Sequence, residues 1–117
     1  MPDFRFTAVI NHEEFHERIK AVPQSYGVYI WRDTLAQVLY VGKSKSLRDR
    51  MQSYFNVAQL SNKNRRMVAK IADFSIITTN SELEALLLEM NLIKQHRPRY
   101  NVLLKDDRSY PYIKVTI

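Results

Sequence analysis

Gly27-Val28-Tyr29-Ile30-Trp31, followed after the polar break Arg32-Asp33-Thr34 by Val38-Leu39-Tyr40-Val41-Gly42-Lys43, decides the fold of this chain. Both runs are β-branched and aromatic, which suits a pleated, half-buried surface, and the polar turn between them predicts a hairpin. Tyr29 and Tyr40 then fall on neighbouring strands. The only two glycines, Gly27 and Gly42, open the first run and close the second. Taken singly, each glycine marks a turn, and a strand tyrosine is ordinarily a packing residue with a wet hydroxyl.

On the N-terminal side, Asn11 and Glu14 form a capping box, and Phe15, Ile19 and Val22 recur at helical spacing, so a short amphipathic helix is expected from His12 to Lys20, ended by Pro23. On the C-terminal side, Leu47, Met51 and Phe55 fall four apart on one helical stripe, and Arg50 and Tyr54 fall four apart on another. A second helix is expected from Lys63 to Ala72, then a strand from Phe74 to Thr78. Ser81 and Glu84 form a capping box that opens a third helix, reaching about His96 before Arg97-Pro98 stops it. Tyr110 to Ile117 reads as a last extended segment. It ends on an apolar strand without a stop signal, so the chain is expected to be a piece of a longer protein.

The 117 residues allow one compact domain and exclude a second independent core. With 45% hydrophobic and 26% charged residues the composition is that of a folding chain. No apolar run approaches the ~20 residues that cross a bilayer, and no basic-then-apolar leader opens the sequence, so a soluble, cytoplasmic protein is expected. There is no cysteine, which removes disulfides, thiolate catalysis, iron–sulfur clusters and cysteine-ligated zinc together. Any catalytic metal must sit on oxygen or histidine.

A net charge of +6 points to a nucleic-acid partner. From Lys43 to Lys70 there are eight basic residues (Lys43, Lys45, Arg48, Arg50, Lys63, Arg65, Arg66, Lys70) against one acid, Asp49. Between Ala85 and Ile93, only Glu89 and Asn91 interrupt apolar residues, so that helix reads as largely buried. A carboxylate there must be paired with a cation, hydrogen-bonded or bound to a metal. The helix by itself leaves a salt bridge and a metal or catalytic role both open.

Taken in order, Gly27-Val28-Tyr29, Tyr40-Val41-Gly42-Lys43, Arg50, Tyr54, Glu89 and Asn101 resemble the motif set of the GIY-YIG nucleases. Asn91-Leu92-Ile93-Lys94, Arg97-Pro98-Arg99-Tyr100-Asn101 and Tyr110-Pro111-Tyr112 are similar to the UvrC-type N-terminal endonuclease domains of that family. The departures are small. Val28 and Val41 stand for isoleucine in the two signature triplets, Tyr26 stands where proline is usual, and Ser44 where alanine is frequent. The resemblance runs from about Pro23 to Ile117, leaving residues 1–22 as a leader carrying the short amphipathic helix and 23–117 as the endonuclease domain.

The resemblance implies an α+β fold, with a small, mostly antiparallel sheet of about three strands flanked by helices. It implies a divalent-metal-dependent DNA endonuclease that cuts on the 3′ side of a lesion in nucleotide excision repair, acting on damaged duplex DNA with a UvrB-type partner subunit held through regions outside this chain. Glu89 would hold one Mg²⁺ or Mn²⁺, and Asn101 would line the metal or phosphate side. Tyr29 or Tyr40 would take the proton of the attacking water. Because an unperturbed phenol titrates near ~10, Lys43 and Arg50 are expected to lower it and to stabilise the developing charge. Tyr54 would position a phosphate oxygen or a water. Lys45, Arg48, Lys63, Arg65 and Arg66 are expected to contact backbone phosphates, which carry no sequence information. The same residues would serve another GIY-YIG repair nuclease, and the basic face alone would serve a non-catalytic nucleic-acid-binding module.

His12-Glu13-Glu14-Phe15-His16 fits the H-E-x-x-H spacing of zinc proteases. The continuation with glycine and a third histidine is missing, and His96 belongs to a different helix. His12 and His16 are therefore read as polar-face residues.

Overall fold

The computed structural model describes residues 12–56 and 62–101. Along them run α1 (His12–Lys20), β1 (Gly27–Arg32), β2 (Val38–Ser44), α2 (Leu47–Ser53), α3 (Asn62–Val68), β3 (Asp73–Thr78) and α4 (Glu82–His96). The Asn11 cap and the expected extended segment Tyr110 to Ile117 lie outside the described residues.

The sheet is antiparallel throughout, in the order β2-β1-β3. β1 is central, and Gly27 to Trp31 are all buried, as the near-continuous apolar run requires. Trp31 pairs with Tyr40 and Tyr29 with Gly42, while the register slips after Trp31 so that Arg32 pairs with Val38. That slip is a bulge in β2 that leaves Leu39 as the extra residue. In the turn between the strands, the Asp33 carboxylate accepts the Leu35 and Gln37 backbone N–H groups at 2.8 and 3.0 Å. This local bonding is what makes aspartate a turn residue.

Period-two alternation splits the core. Tyr29, Trp31 and Tyr40 point to the face covered by α1 and α2, where Ile19, Val22, Leu47 and Met51 join them. Trp31 is fully buried, with the rings of Tyr54, Tyr29 and Phe55 at 5.4, 5.7 and 5.8 Å. Each such ring pair adds about 0.5–1.5 kcal/mol to the area it buries. Val28, Ile30 and Val41 point to the opposite face, where α4 lays Ala85 against them. An exposed Arg18–Asp73 ion pair at 2.8 Å ties α1 to the start of β3.

Two expectations are corrected here. The second helix was expected from Lys63 to Ala72, but α3 ends at Val68. Beyond it the chain tightens into three-residue turns, Lys70 N–H to the Met67 carbonyl and Ile71 N–H to the Val68 carbonyl, and Ala72 N–H is then taken by the Arg32 carbonyl of β1. The sheet thus recruits the backbone that a longer helix would need. The third helix, α4, was expected to be largely buried, yet only Ala85 is fully buried, and Leu83, Leu87 and Met90 are 64%, 51% and 55% exposed. α4 rests on β2 and β1 by one side only, through Ala85, Leu88 and Leu92, which leaves its outer apolar stripe in solvent. Its ends form as the sequence predicts. Ser81 Oγ accepts the Glu84 N–H at 3.1 Å, and the helix stops at Arg97 in the left-handed conformation just before Pro98.

Candidate functional site

Pairing Tyr29 with Gly42 places the phenol ring across the position where Gly42 lacks a side chain. A Cβ at Gly42 would land on the Tyr29 ring and hydroxyl, so only glycine fits. The ring reaches past β2 to α2, where Tyr54 is the C-cap residue, and the two hydroxyls hydrogen-bond at 2.7 Å in the interior. Tyr40 joins them from β2, its ring centroid 6.2 Å from that of Tyr29 and 6.5 Å from that of Tyr54. One turn before Tyr54, Arg50 sets its guanidinium carbon 5.6 Å from the Tyr54 ring centroid. The i, i+4 stripe read from the sequence thus brings the cation onto the phenol.

The electrostatics run against one expectation. Arg50 does pull the Tyr29 phenol down, but burial, reinforced by the neighbouring Tyr54 oxygen, pushes it well above the ordinary value. Burial likewise pushes Tyr54 up, with Tyr40 adding to it, while the hydrogen bond from Tyr29 and the Arg50 charge pull the other way. Desolvation of a phenolate inside the aromatic core outweighs a guanidinium that solvent still reaches. Tyr29 and Tyr54 are therefore neutral hydrogen-bonding groups at neutral pH. Arg50 is cationic throughout, and its guanidinium is pushed above its ordinary value, chiefly by the charge Tyr29 would carry once ionised.

Lys43, directly after Gly42, lies with its Nζ 4.0 Å from the Glu82 carboxylate at the start of α4. Sequence reasoning missed Glu82, although it stands seven residues before Glu89, and residues seven apart share a side of a helix. Glu89 is half-buried on the α4 flank, so the desolvation argument applies to it only in part. Among the described residues no three His, Asp or Glu side chains gather as a metal cage. One half-exposed carboxylate nonetheless fits Mg²⁺, which takes one or two carboxylates and fills its octahedron with waters and phosphate oxygens.

Asn101 is buried, and both ends of its amide are committed. Its Oδ1 accepts the Val41 N–H at 2.8 Å, and its Nδ2 donates to the Val41 carbonyl at 2.9 Å. Among the described residues β2 is an edge strand, and this side chain satisfies the outward-facing backbone groups of Val41 as another strand would. A link spanning sixty residues leaves no periodic signal in the sequence.

The five other basic residues differ in their surroundings. Lys45 is exposed between β2 and α2, and Arg65 and Arg66 are exposed on α3. Arg48 is half-buried and spends its Nε–H on the Val22 carbonyl at 2.8 Å, an anchor between α2 and the end of α1. The side chain of Lys63 lies outside the described residues. His16 sits on the exposed side of α1, its ring 5.2 Å from that of Phe55.

Residues 25–102 match the family model of the UvrC-like GIY-YIG domain. The chain is 52% identical over 101 residues to the UvrABC system protein C of Carboxydothermus hydrogenoformans, and 54% identical over 101 residues to that of Desulforudis audaxviator. Each match takes in 86% of this chain but only 17% and 16% of the relative, so the chain spans about a sixth of the curated relatives it matches. Among solved structures it is similar to the GIY-YIG N-terminal endonuclease domain of UvrC from Thermotoga maritima bound to its catalytic magnesium, with TM-score 0.68 and 35% identity over 75% of this chain and 96% of that one. A tyrosine-to-phenylalanine point mutant of the same domain, bound to its catalytic divalent cation, matches with TM-score 0.68 and 34% identity over 75% and 94%. With its three-stranded antiparallel sheet, the paired tyrosines across Gly42 and this extent of identity, the chain belongs to the UvrC-like GIY-YIG domain family.

Proposed function

We propose that this chain is a divalent-metal-dependent DNA endonuclease domain that makes the 3′-side incision next to a lesion in nucleotide excision repair. The observation that carries the reading is the buried Tyr29–Tyr54 hydroxyl pair, with Tyr40 beside it and Arg50 over it. Phosphodiester hydrolysis needs a base for the attacking water, positive charge for the developing oxyanion and a source of protons for the leaving oxygen. This constellation offers all three.

Tyr29 keeps its proton and fixes the Tyr54 hydroxyl, which leaves Tyr40, acting as its phenolate, to accept the proton of the water and pass it to the departing 3′ oxygen. Arg50, firmly cationic, and Lys43 face the charge that builds on the phosphate. Glu89 would hold one Mg²⁺ or Mn²⁺, which when bound supplies Lewis-acid stabilisation of the phosphate oxygens. Asn101 acts through the backbone: by holding Val41 at both ends of its amide it fixes the strand on which Tyr40 and Lys43 stand. Lys45, Arg65 and Arg66 hold phosphates regardless of base sequence. Damaged duplex DNA is the substrate, presented in the cytoplasm by a UvrB-type subunit through parts of the protein outside this chain.

Glu89→Gln tests the reading, because the amide keeps the shape and loses the anionic oxygen. Nicking of lesion-bearing duplex in Mg²⁺, with the partner subunit present, is expected to fall at least ~10²-fold while DNA affinity is unchanged. Retention of more than about a tenth of the cutting would remove Glu89 from the metal site.

A further inference from the structure

Arg97 is one of two residues other than glycine, among those described, with a positive φ: 47° with ψ 57° at the C-cap of α4. Glycine or asparagine serves this position at lower cost, since a β-carbon in the left-handed region is worth roughly 1–2 kcal/mol of strain. The arginine that stands there sets a cation at the end of α4. Pro98, which follows, is buried and fixes the direction in which the chain leaves the helix, while Arg97 and Arg99 on either side of it are exposed.

The next residue is Tyr100, 4% exposed and part of the same core as Tyr29, Tyr40 and Tyr54. Two cations approach its ring: the Arg99 guanidinium carbon at 5.8 Å from the centroid and Lys70 Nζ at 5.7 Å, the latter arriving from just beyond α3. Lys70, two residues past the end of α3, and Arg99 thus share the Tyr100 ring, and Arg97 stands on the other side of Pro98 from Arg99. Among the described residues no carboxylate forms an ion pair with Lys70, Arg97 or Arg99. Asp33, which lines a cavity together with Lys70, has a carboxylate oxygen engaged by the Leu35 and Gln37 backbone N–H groups. From Met90 to Lys105 the sequence contains no acid at all.

Two cations that meet at one buried aromatic repel one another and gain from a polyanion. Asn101, next to Tyr100, is bonded to Val41, the neighbour of Tyr40. We propose that Lys70, Arg97 and Arg99 form a second phosphate-anchoring patch, continuous with Arg65 and Arg66, which holds the DNA backbone beside the bond presented to Tyr40. The inference rests on the nuclease reading and adds to it the path of the strand along this flank.

The test is binding of the full 117-residue chain to an unmodified DNA duplex across a salt series without divalent metal, alongside thermal unfolding. Arg97→Gly relieves the left-handed strain, so Tm is expected to hold or rise while the slope of log affinity against log salt falls by ~0.9. Lys70→Ala with Arg99→Ala is expected to lower that slope by ~1.8. A merely structural arginine would give the reverse: a lower Tm in Arg97→Gly and an unchanged slope, which overturns the proposal. Arg65→Ala with Arg66→Ala is the reference. If that pair flattens the slope and the three new positions do not, only this patch is lost; if no variant does, the DNA-binding reading of the chain falls with it.

Discussion

The Tyr29 hydroxyl is hydrogen-bonded to the Tyr54 hydroxyl at 2.7 Å, and both side chains are almost fully buried. The bond joins the central strand to the end of α2 and is possible only because Gly42, opposite Tyr29, has no side chain in the way. It also determines protonation, since two phenols in contact in a desolvated site cannot readily both ionise.

An alkaline limb in stability follows. Tyr29 and Tyr54 are both raised above the ordinary phenol value of 10.0, so above that pH the unfolded chain has released these protons while the folded chain retains them. Fewer protons bound in the unfolded state make the slope of stability against pH negative, and the contribution that is whole below pH 10 declines as pH rises toward the folded values. Urea unfolding between pH 8 and 11 should show this decline, and Tyr29→Phe should shrink it.

Tyr40→Phe and Tyr29→Phe should part company in single-turnover cleavage. Loss of a proton acceptor typically costs 10²–10⁴-fold, the range expected for Tyr40→Phe, whereas Tyr29→Phe leaves Tyr54 in place without its partner and should cost less. Equal losses would mean that the two phenols act as one unit.

Gly42→Ala should displace the Tyr29 ring and disrupt the hydroxyl pair. Because the new carbon meets a ring packed on Trp31, the cost is that of overpacking, about 1–3 kcal/mol, with cleavage lost in the protein that still folds. Thermal unfolding beside nicking separates the two effects.

Asn101→Ala leaves the Val41 N–H and carbonyl without partners at a buried sheet edge. With each such group costing about 1–3 kcal/mol, a loss of roughly 2–6 kcal/mol is expected, together with faster hydrogen exchange at Val41. Exchange and stability both unchanged would show that the Asn101 amide does not protect this strand.

The sequence by itself determined most of the elements and nominated the candidate site residues. The β-branched runs at Gly27 and Val38, the stripe of Leu47 and Met51 and the Ser81–Glu84 cap are local periodicities, and the backbone obeys them wherever nothing distant competes. Arg50 against Tyr54 was legible for the same reason, as a one-turn relation. Tertiary structure decided what depends on burial and on contacts far apart in the chain. It ended α3 at Val68 by drawing Ala72 to β1, and it exposed the apolar stripe of α4 because one side of a helix suffices to cover a sheet. It kept Tyr29 protonated despite Arg50, and it committed Asn101 to Val41 across sixty residues. Desolvation and edge-strand satisfaction are properties of a packed interior, and the order of residues states them only once the chain has closed on itself.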